Sequence, residues 1–294
     1  MTDLPNQRLP SWLKRNVPSG NGNRVTAGLI ERFGLRTVCH HAKCPNRMEC
    51  FSKRTATVMI LGDICTRSCR FCSVVSGVAR PIDHDEPNRV AQAVRELRLR
   101  HVVVTCVTRD DLPDGGAGHF CRTIEEIRRI SDATVEVLPS DFAGNFGAVS
   151  QLINVSPDVY NYNTETVSRL YPTVRDRRAN YSLTLDIFRW VRTKNPKIIT
   201  KTGMMLGLGE TREELVNTWE ELVEAGCRML TLGQYLQPSK DQMAVVRYVP
   251  PEEFYEFDQV ARGIGFEQVA SGPFIRSSYE AKEMFEEARQ TILK

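Results

Sequence analysis

The run Ala56-Thr-Val-Met-Ile-Leu61, then Gly62-Asp-Ile64, leads directly into Cys65-Thr-Arg-Ser-Cys69-Arg-Phe-Cys72. A short apolar run closed by a glycine reads as a buried strand, and the three cysteines fall on the loop leaving its C-terminal end. The same alternation continues downstream. Strands are expected at 56–61, 101–107, 134–138, 159–162, 198–206 and 229–235, with helices between them at 86–99, 120–130, 146–153, 183–192 and 212–225. Strands alternating with helices give right-handed βαβ units and a parallel sheet. Six units predict an α/β fold, a partial (β/α)6 barrel rather than the full eight. Ligands of such sheets sit at the C-terminal ends of the strands, where this cysteine loop stands.

The helix at 212–225 is the best marked. Thr211-Arg-Glu-Glu214 is a capping box, Leu215, Trp219, Leu222 and Val223 share a face, and Gly226 ends it. A helix at 250–263, a short piece at 266–270 and a final helix at 279–293 close the chain. The first fifty residues, with Pro5, Pro10, Pro18 and Ser19-Gly-Asn-Gly-Asn23, read as irregular apart from an amphipathic piece around 27–33. Three parts are therefore expected: an N-terminal extension over 1–54, the barrel over 55–265 and a C-terminal extension over 266–294.

With 294 residues, 41% of them apolar and 26% charged, the composition is that of an ordinary globular protein. A chain of this size buries roughly three quarters of its unfolded surface and needs no disulfide staples. Thirty-nine basic against 36 acidic residues leave +3, too little to suggest a nucleic-acid partner. The longest apolar runs, 58–61 and 102–107, are far short of the ~20 residues of a membrane span. Met1-Thr-Asp-Leu-Pro5 has neither the basic nor the apolar region of a signal peptide. A soluble, cytoplasmic protein is expected.

Cysteine is distributed unevenly. Of nine, six fall between Cys39 and Cys72, while Cys106, Cys121 and Cys227 stand alone in apolar surroundings and are assigned no role. In a reducing compartment such density points to metal or catalysis rather than disulfides. The C-x3-C-x2-C loop offers three thiolates to a cubane iron–sulfur cluster, leaving one iron open to a small ligand, whereas clusters are ordinarily held by four. Zinc loops instead use paired C-x2-C units. A second group, Cys39-His-His-Ala-Lys-Cys44-Pro-Asn-Arg-Met-Glu-Cys50, again provides three thiolates, with His40 and His41 read as loop residues.

The Cys65–Cys72 triplet, with Phe71 before its last cysteine, resembles the signature of the radical S-adenosylmethionine (SAM) superfamily. That resemblance implies a [4Fe–4S] cluster whose open iron chelates SAM, and cleavage of SAM to a 5′-deoxyadenosyl radical. Gly115-Gly116 then corresponds to the segment beside the SAM amino group, Asn163 and Glu165 to ribose contacts, Arg175 to a carboxylate contact, and Gly207 and Gly209 to the adenine side. As plain sequence, these same residues also read as a tight turn, a helix-start carboxylate and a surface arginine.

Both cysteine groups together resemble the lipoyl synthase family over nearly the whole chain. The match includes Pro10-Ser-Trp-Leu-Lys14, Met59-Ile-Leu-Gly-Asp63, Thr108-Arg-Asp-Asp-Leu-Pro-Asp-Gly-Gly-Ala117, Glu136-Val-Leu-Pro-Ser-Asp-Phe142, Lys201-Thr-Gly-Met-Met-Leu-Gly-Leu-Gly-Glu-Thr211 and Arg276-Ser-Ser-Tyr279. It departs at His41, Phe51 and Tyr162, which concern the substrate channel. The resemblance implies insertion of two sulfur atoms at C6 and C8 of a protein-bound octanoyl-lysine. It implies two [4Fe–4S] clusters, the second held by Cys39, Cys44, Cys50 and Ser277 and consumed as sulfur donor. Implied partners are octanoylated lipoyl carrier domains (2-oxoacid dehydrogenase E2 subunits and the glycine cleavage H protein), a reductant such as ferredoxin or flavodoxin, and an iron–sulfur carrier for cluster repair. Ser277 and Ser278 also read as an N-cap of the last helix. The competing functions are another radical SAM sulfur-inserting enzyme, such as one like biotin synthase, and a non-enzymatic cluster carrier, which would bring four cysteines per cluster.

Overall fold

A computed structural model describes residues 9–14, 22–53 and 55–292. The Met1–Pro5 start, Pro18, most of the Ser19–Asn23 stretch and the last two residues lie outside it. Six strands run in parallel: β1 (Thr57–Ile60), β2 (His101–Cys106), β3 (Thr134–Leu138), β4 (Val159–Asn161), β5 (Ile199–Leu206) and β6 (Met229–Gln234). Their residues are buried almost without alternation because helices cover the outer face, as parallel strands require. The covering helices are α1 (Glu86–Leu97), α2 (Ala117–Ile130), α3 (Phe146–Asn154), α4 (Tyr181–Lys194), α5 (Arg212–Glu224) and α6 (Pro251–Ile264). On α5 the capping box forms as read, with Thr211 and Glu214 satisfying each other's backbone N–H groups. Trp219 from α5 is fully buried and meets Phe257 of α6 edge to face at 5.6 Å.

Two additions extend the expected six-unit barrel. Arg36–Thr37 pairs antiparallel with β1 at the outer edge. Where a short piece is expected at 266–270, the chain forms strand β7 (Gln268–Ser271), parallel to β6 in the register Gln268↔Met229 to Ser271↔Leu232. The final helix, α7 (Ala281–Ile292), begins two residues later than expected because Glu280 adopts φ 50°, a left-handed conformation that no helix continues through. Met284, Phe285 and Ala288 of α7 pack on Val159, Ile199 and Met229, the first residues of β4, β5 and β6. Helix α7 therefore covers the end of the barrel opposite the cysteine loops.

The N-terminal extension is more regular than its prolines suggest. It holds helices at Gly22–Arg32, Val38–His41 and Arg47–Ser52. Thr26 Oγ1 donates to the Phe51 carbonyl at 2.7 Å, tying the first of these to the last. Among the described residues no helix is long and apolar enough to cross a membrane.

Candidate functional site

The loop after β1 is pinned on every side by backbone. Ile64–Cys65 pairs with Val75–Ser76, the Thr66 N–H donates to the Thr108 carbonyl beyond β2 (3.0 Å), and the Arg70 N–H donates to the Val174 carbonyl (2.9 Å). Each of the three sulfurs accepts one backbone N–H: Cys65 from Arg67 (3.4 Å), Cys69 from Asp176 (3.3 Å) and Cys72 from Val74 (3.4 Å). Burial pushes the Cys72 thiol up to about 12, and the neighbouring Cys69 and Cys65 add to the rise. Burial raises Cys69 as well, against the pull of the Arg175 guanidinium. Among the described residues no three Cys, His, Asp or Glu side chains converge on a single ion. Three thiols on one loop, each with a backbone N–H donor on its sulfur, fit three corners of an iron–sulfur cluster, and those donors are the kind that tune its potential.

Beneath the loop lies a network the sequence reading did not single out. Arg67, with its side chain only 4% exposed, forks onto Asp110 (2.8 and 2.9 Å) and Asp141 (2.7 and 2.6 Å). Burial opposes the Arg67 charge, but hydrogen bonds to both carboxylates outweigh it. Asp176 accepts from the Ser68 N–H at 2.9 Å and from Arg178, whose hydrogen bond holds the Asp176 carboxyl well below the usual range. Arg67 inside the cysteine motif and two aspartates inside matched stretches were the available signal. Nothing local indicated that they would meet.

The residues expected around SAM gather at the same end. Gly115 and Gly116 take left-handed conformations, and a Cβ on Gly116 would fall 2.3 Å from Leu61 Cδ1, so only glycine lets α2 start this close to β1. Asn163 and Glu165 follow β4, and Glu165 is itself left-handed at φ 69°. Asn163 Nδ2 donates to Glu165 Oε1 at 3.1 Å, and Arg175 Nη1 donates to the Asn163 carbonyl at 3.1 Å while standing 3.9 Å from Glu165. Burial raises the Glu165 carboxyl while Arg175 pulls it down. Asn163 Oδ1 and Arg175 Nε are buried without a hydrogen-bond partner. A polar ligand with an acceptor and donors of its own fits those two atoms. Phe71 is half-buried against the core. Gly207 has a more local explanation: its N–H is held by Glu210 (2.6 Å), and a Cβ would lie 2.3 Å from the Arg247 carbonyl oxygen. Gly209 shares its left-handed backbone.

Cys39 lies on the short helix Val38–His41, Cys44 on the following turn and Cys50 on Arg47–Ser52. His40 and His41, read as loop residues, are thus the last residues of a helix capped by Thr37. Burial pushes Cys50 up to about 12, and the neighbouring Cys39 and Cys44 reinforce the shift. Ser73 Oγ, next to Cys72, donates to the His41 carbonyl at 2.7 Å and joins the two cysteine groups directly. The C-terminal segment crosses the same region. Asn46 Nδ2 donates to the Phe274 carbonyl (2.6 Å) and Tyr279 OH to Glu49 Oε1 (2.9 Å), so bonds to the Cys44–Cys50 stretch bracket Ser277. Ser277 Oγ accepts from Asn163 Nδ2 at 3.4 Å, and its Cβ would lie 3.0 Å from a Cβ on Gly203. Because α7 starts at Ala281, neither Ser277 nor Ser278 caps it.

The Radical SAM superfamily model matches residues 59–222. Lipoyl synthase of Rhodopirellula baltica is 52% identical over 95% of this chain and 89% of its own. That of Caldanaerobacter subterraneus is 50% identical over 93% and 96%, and that of Desulfotalea psychrophila 52% over 95% and 93%. Among solved structures, Streptococcus suis SuiB bound to its precursor peptide SuiA superposes with a TM-score of 0.59 over 85% of this chain and 52% of that one, at 9% identity. Methylornithine synthase gives 0.52 over 84% and 77%, at 10% identity. At such identities the structures speak for the fold alone.

Proposed function

The chain belongs to the radical SAM superfamily and, within it, to the lipoyl synthase family, and we propose from the site geometry how its residues divide the work. The reaction is insertion of two sulfur atoms into a protein-bound octanoyl chain, at C6 and C8, to give the lipoyl cofactor. SAM and one [4Fe–4S] cluster belong to the superfamily chemistry. Held by Cys65, Cys69 and Cys72, that cluster with SAM supplies hydrogen-atom abstraction at unactivated carbon, which C6 and C8 require. The backbone N–H groups of Arg67, Val74 and Asp176 fix the three sulfurs, and the Arg67 network keeps the loop rigid. Gly115 and Gly116 leave room for the SAM amino end. Asn163 Oδ1 and Glu165 accept from the ribose hydroxyls, Arg175 binds the carboxylate, Gly207 and Gly209 line the adenine side, and Phe71 shields the loop from water.

Cys39, Cys44, Cys50 and Ser277 hold a second cluster, which serves as the sulfur source. The N-terminal extension over 1–54 carries the cysteines, the barrel over 55–265 carries SAM, and the extension over 266–294 returns Ser277. A serine oxygen is a harder, weaker ligand for iron than a thiolate and is released more readily. Octanoylated lipoyl carrier domains are the substrate, with E2 subunits and the H protein as its sources. An external reductant supplies electrons, and an iron–sulfur carrier rebuilds the second cluster. The observation that carries this division is the Ser73–His41 bond, which sets one thiol triplet against the other at the open end of the barrel. Anaerobic reconstitution followed by iron and sulfide analysis tests it. Wild type is expected to hold two clusters and each triple-alanine variant one, whereas equal loading in all three proteins would contradict it.

A further inference from the structure

On the reading above, an electron must reach the group held by Cys65, Cys69 and Cys72, and their loop is at the surface, with Ser68 and Arg70 exposed. Two other segments are bonded to it. Residues 174–178 are tied by Arg70 N–H to the Val174 carbonyl (2.9 Å), Ser68 N–H to Asp176 Oδ2 (2.9 Å) and Asp176 N–H to Cys69 Sγ (3.3 Å). Residues 239–243 are tied by Met243 N–H to the Arg70 carbonyl (3.0 Å). Each segment presents an exposed cation: Arg70, Arg177 and Lys240. Among the described residues none of these three side chains has an ion-pair partner. Arg178, also exposed, is already paired with Asp176 and Asp110. The acids of the three segments are Asp176, which is buried, and Asp241, which is exposed beside Lys240 and accepts from Ser239. Three unpaired cations against one exposed acid leave the face over the loop net positive. The outgoing limb of the loop adds Val75 and Val78, 62% and 93% exposed, apolar area of the kind a transient partner covers.

We infer that Arg70, Arg177 and Lys240 form the docking surface of an acidic one-electron carrier protein. The carrier is oxidised by one electron and the group at Cys65, Cys69 and Cys72 is reduced by one, with no atom transferred. The cations steer the carrier, and their proximity to the loop brings its redox group close to Cys69, whose sulfur accepts from the N–H of Asp176, the residue before Arg177. The inference rests on the cluster assignment above.

Reduced flavodoxin, an acidic flavoprotein, is the probe. Its reoxidation by reconstituted protein is followed by stopped flow, and the affinity of oxidised flavodoxin is measured by calorimetry. In the triple variant Arg70→Glu, Arg177→Glu, Lys240→Glu, the second-order rate is expected to fall about tenfold or more at low salt. The gap should close at high salt, and affinity should weaken in parallel. Reduction by photoreduced deazaflavin, which needs no docking surface, should keep the wild-type rate. If the triple variant loads iron poorly, the pair Arg177→Gln, Lys240→Gln carries the same test with a smaller loss. A loaded variant that takes electrons from flavodoxin at the wild-type rate overturns the docking surface. A wild-type protein that loads no iron at Cys65, Cys69 and Cys72 overturns the cluster assignment instead.

Discussion

Arg67 decides whether the cysteine loop is a rigid seat or a mobile strap. Its guanidinium joins Asp110 and Asp141, the latter 1% exposed, so removing it leaves Asp141 buried without its charge partner, while Asp110 keeps Arg178. Breaking such a buried pair from one side costs about 3–5 kcal/mol. Arg67→Met is expected to lose that much in urea unfolding of the cluster-free chain, and Arg67→Lys, which keeps the charge but not the fork, to lose less. A loss under about 1 kcal/mol for Arg67→Met would show the network to be solvated. At the sulfurs, alanine at Cys65, Cys69 or Cys72 should abolish 5′-deoxyadenosine formation. Alanine at Cys39, Cys44 or Cys50 should leave it partly intact and stop sulfur insertion. Ser277→Ala belongs with the second set, and Ser278→Ala should be the milder change. Thiolated product from a Cys39→Ala, Cys44→Ala, Cys50→Ala enzyme would refute the donor role. The cysteines and Ser277 stand out in the sequence because their spacing and motif are peculiar. Asp110 and Asp141 do not, because one arginine 43 and 74 residues away gives each its meaning.

Elements with a local code were readable, and those made by tertiary contact were not. The α5 capping box shows what the local code fixes. Arg169 foremost, then the Thr211 N–H, hold the Glu214 carboxyl down to about 2. A depressed acid stabilises fully above its ordinary value, about 4.3, and loses that stabilisation as the pH falls through the native value. The stability gap between wild type and Glu214→Gln should therefore be constant near neutrality and shrink between about pH 4 and pH 2. A gap that stays flat through that range would mean the carboxyl is not depressed. Thr211→Ala should cost about 1 kcal/mol at neutral pH with SAM cleavage unchanged. By contrast, Arg36–Thr37 is two residues long, too short for any alternation, and exists only because β1 offers an edge. Residues 268–271 become a strand because β6 needs a partner, and α7 starts late because of one left-handed residue, Glu280.

At the scale of the whole molecule, three parts of the chain meet at one end of the barrel: the loop after β1, the N-terminal helices and the returning C-terminal segment. The βαβ alternation made the barrel and its active end legible, since strand and helix periods are local. The meeting itself was legible only through the family likeness, because Ser73–His41, Asn46–Phe274 and Tyr279–Glu49 span 32, 228 and 230 residues with no local signature. The central claim is that this assembly uses one thiol triplet to start radical chemistry and the other to supply sulfur to an octanoyl chain. The most direct test is anaerobic incubation of the reconstituted protein with an octanoyl-lysine peptide, SAM and reductant, followed by mass spectrometry of the peptide in a single turnover. The account predicts peptide carrying two added sulfurs, with 5′-deoxyadenosine formed alongside and the sulfur lost from the protein's own cluster. Peptide that stays unthiolated while SAM is cleaved, or thiolated peptide whose sulfur comes from the medium, would contradict it.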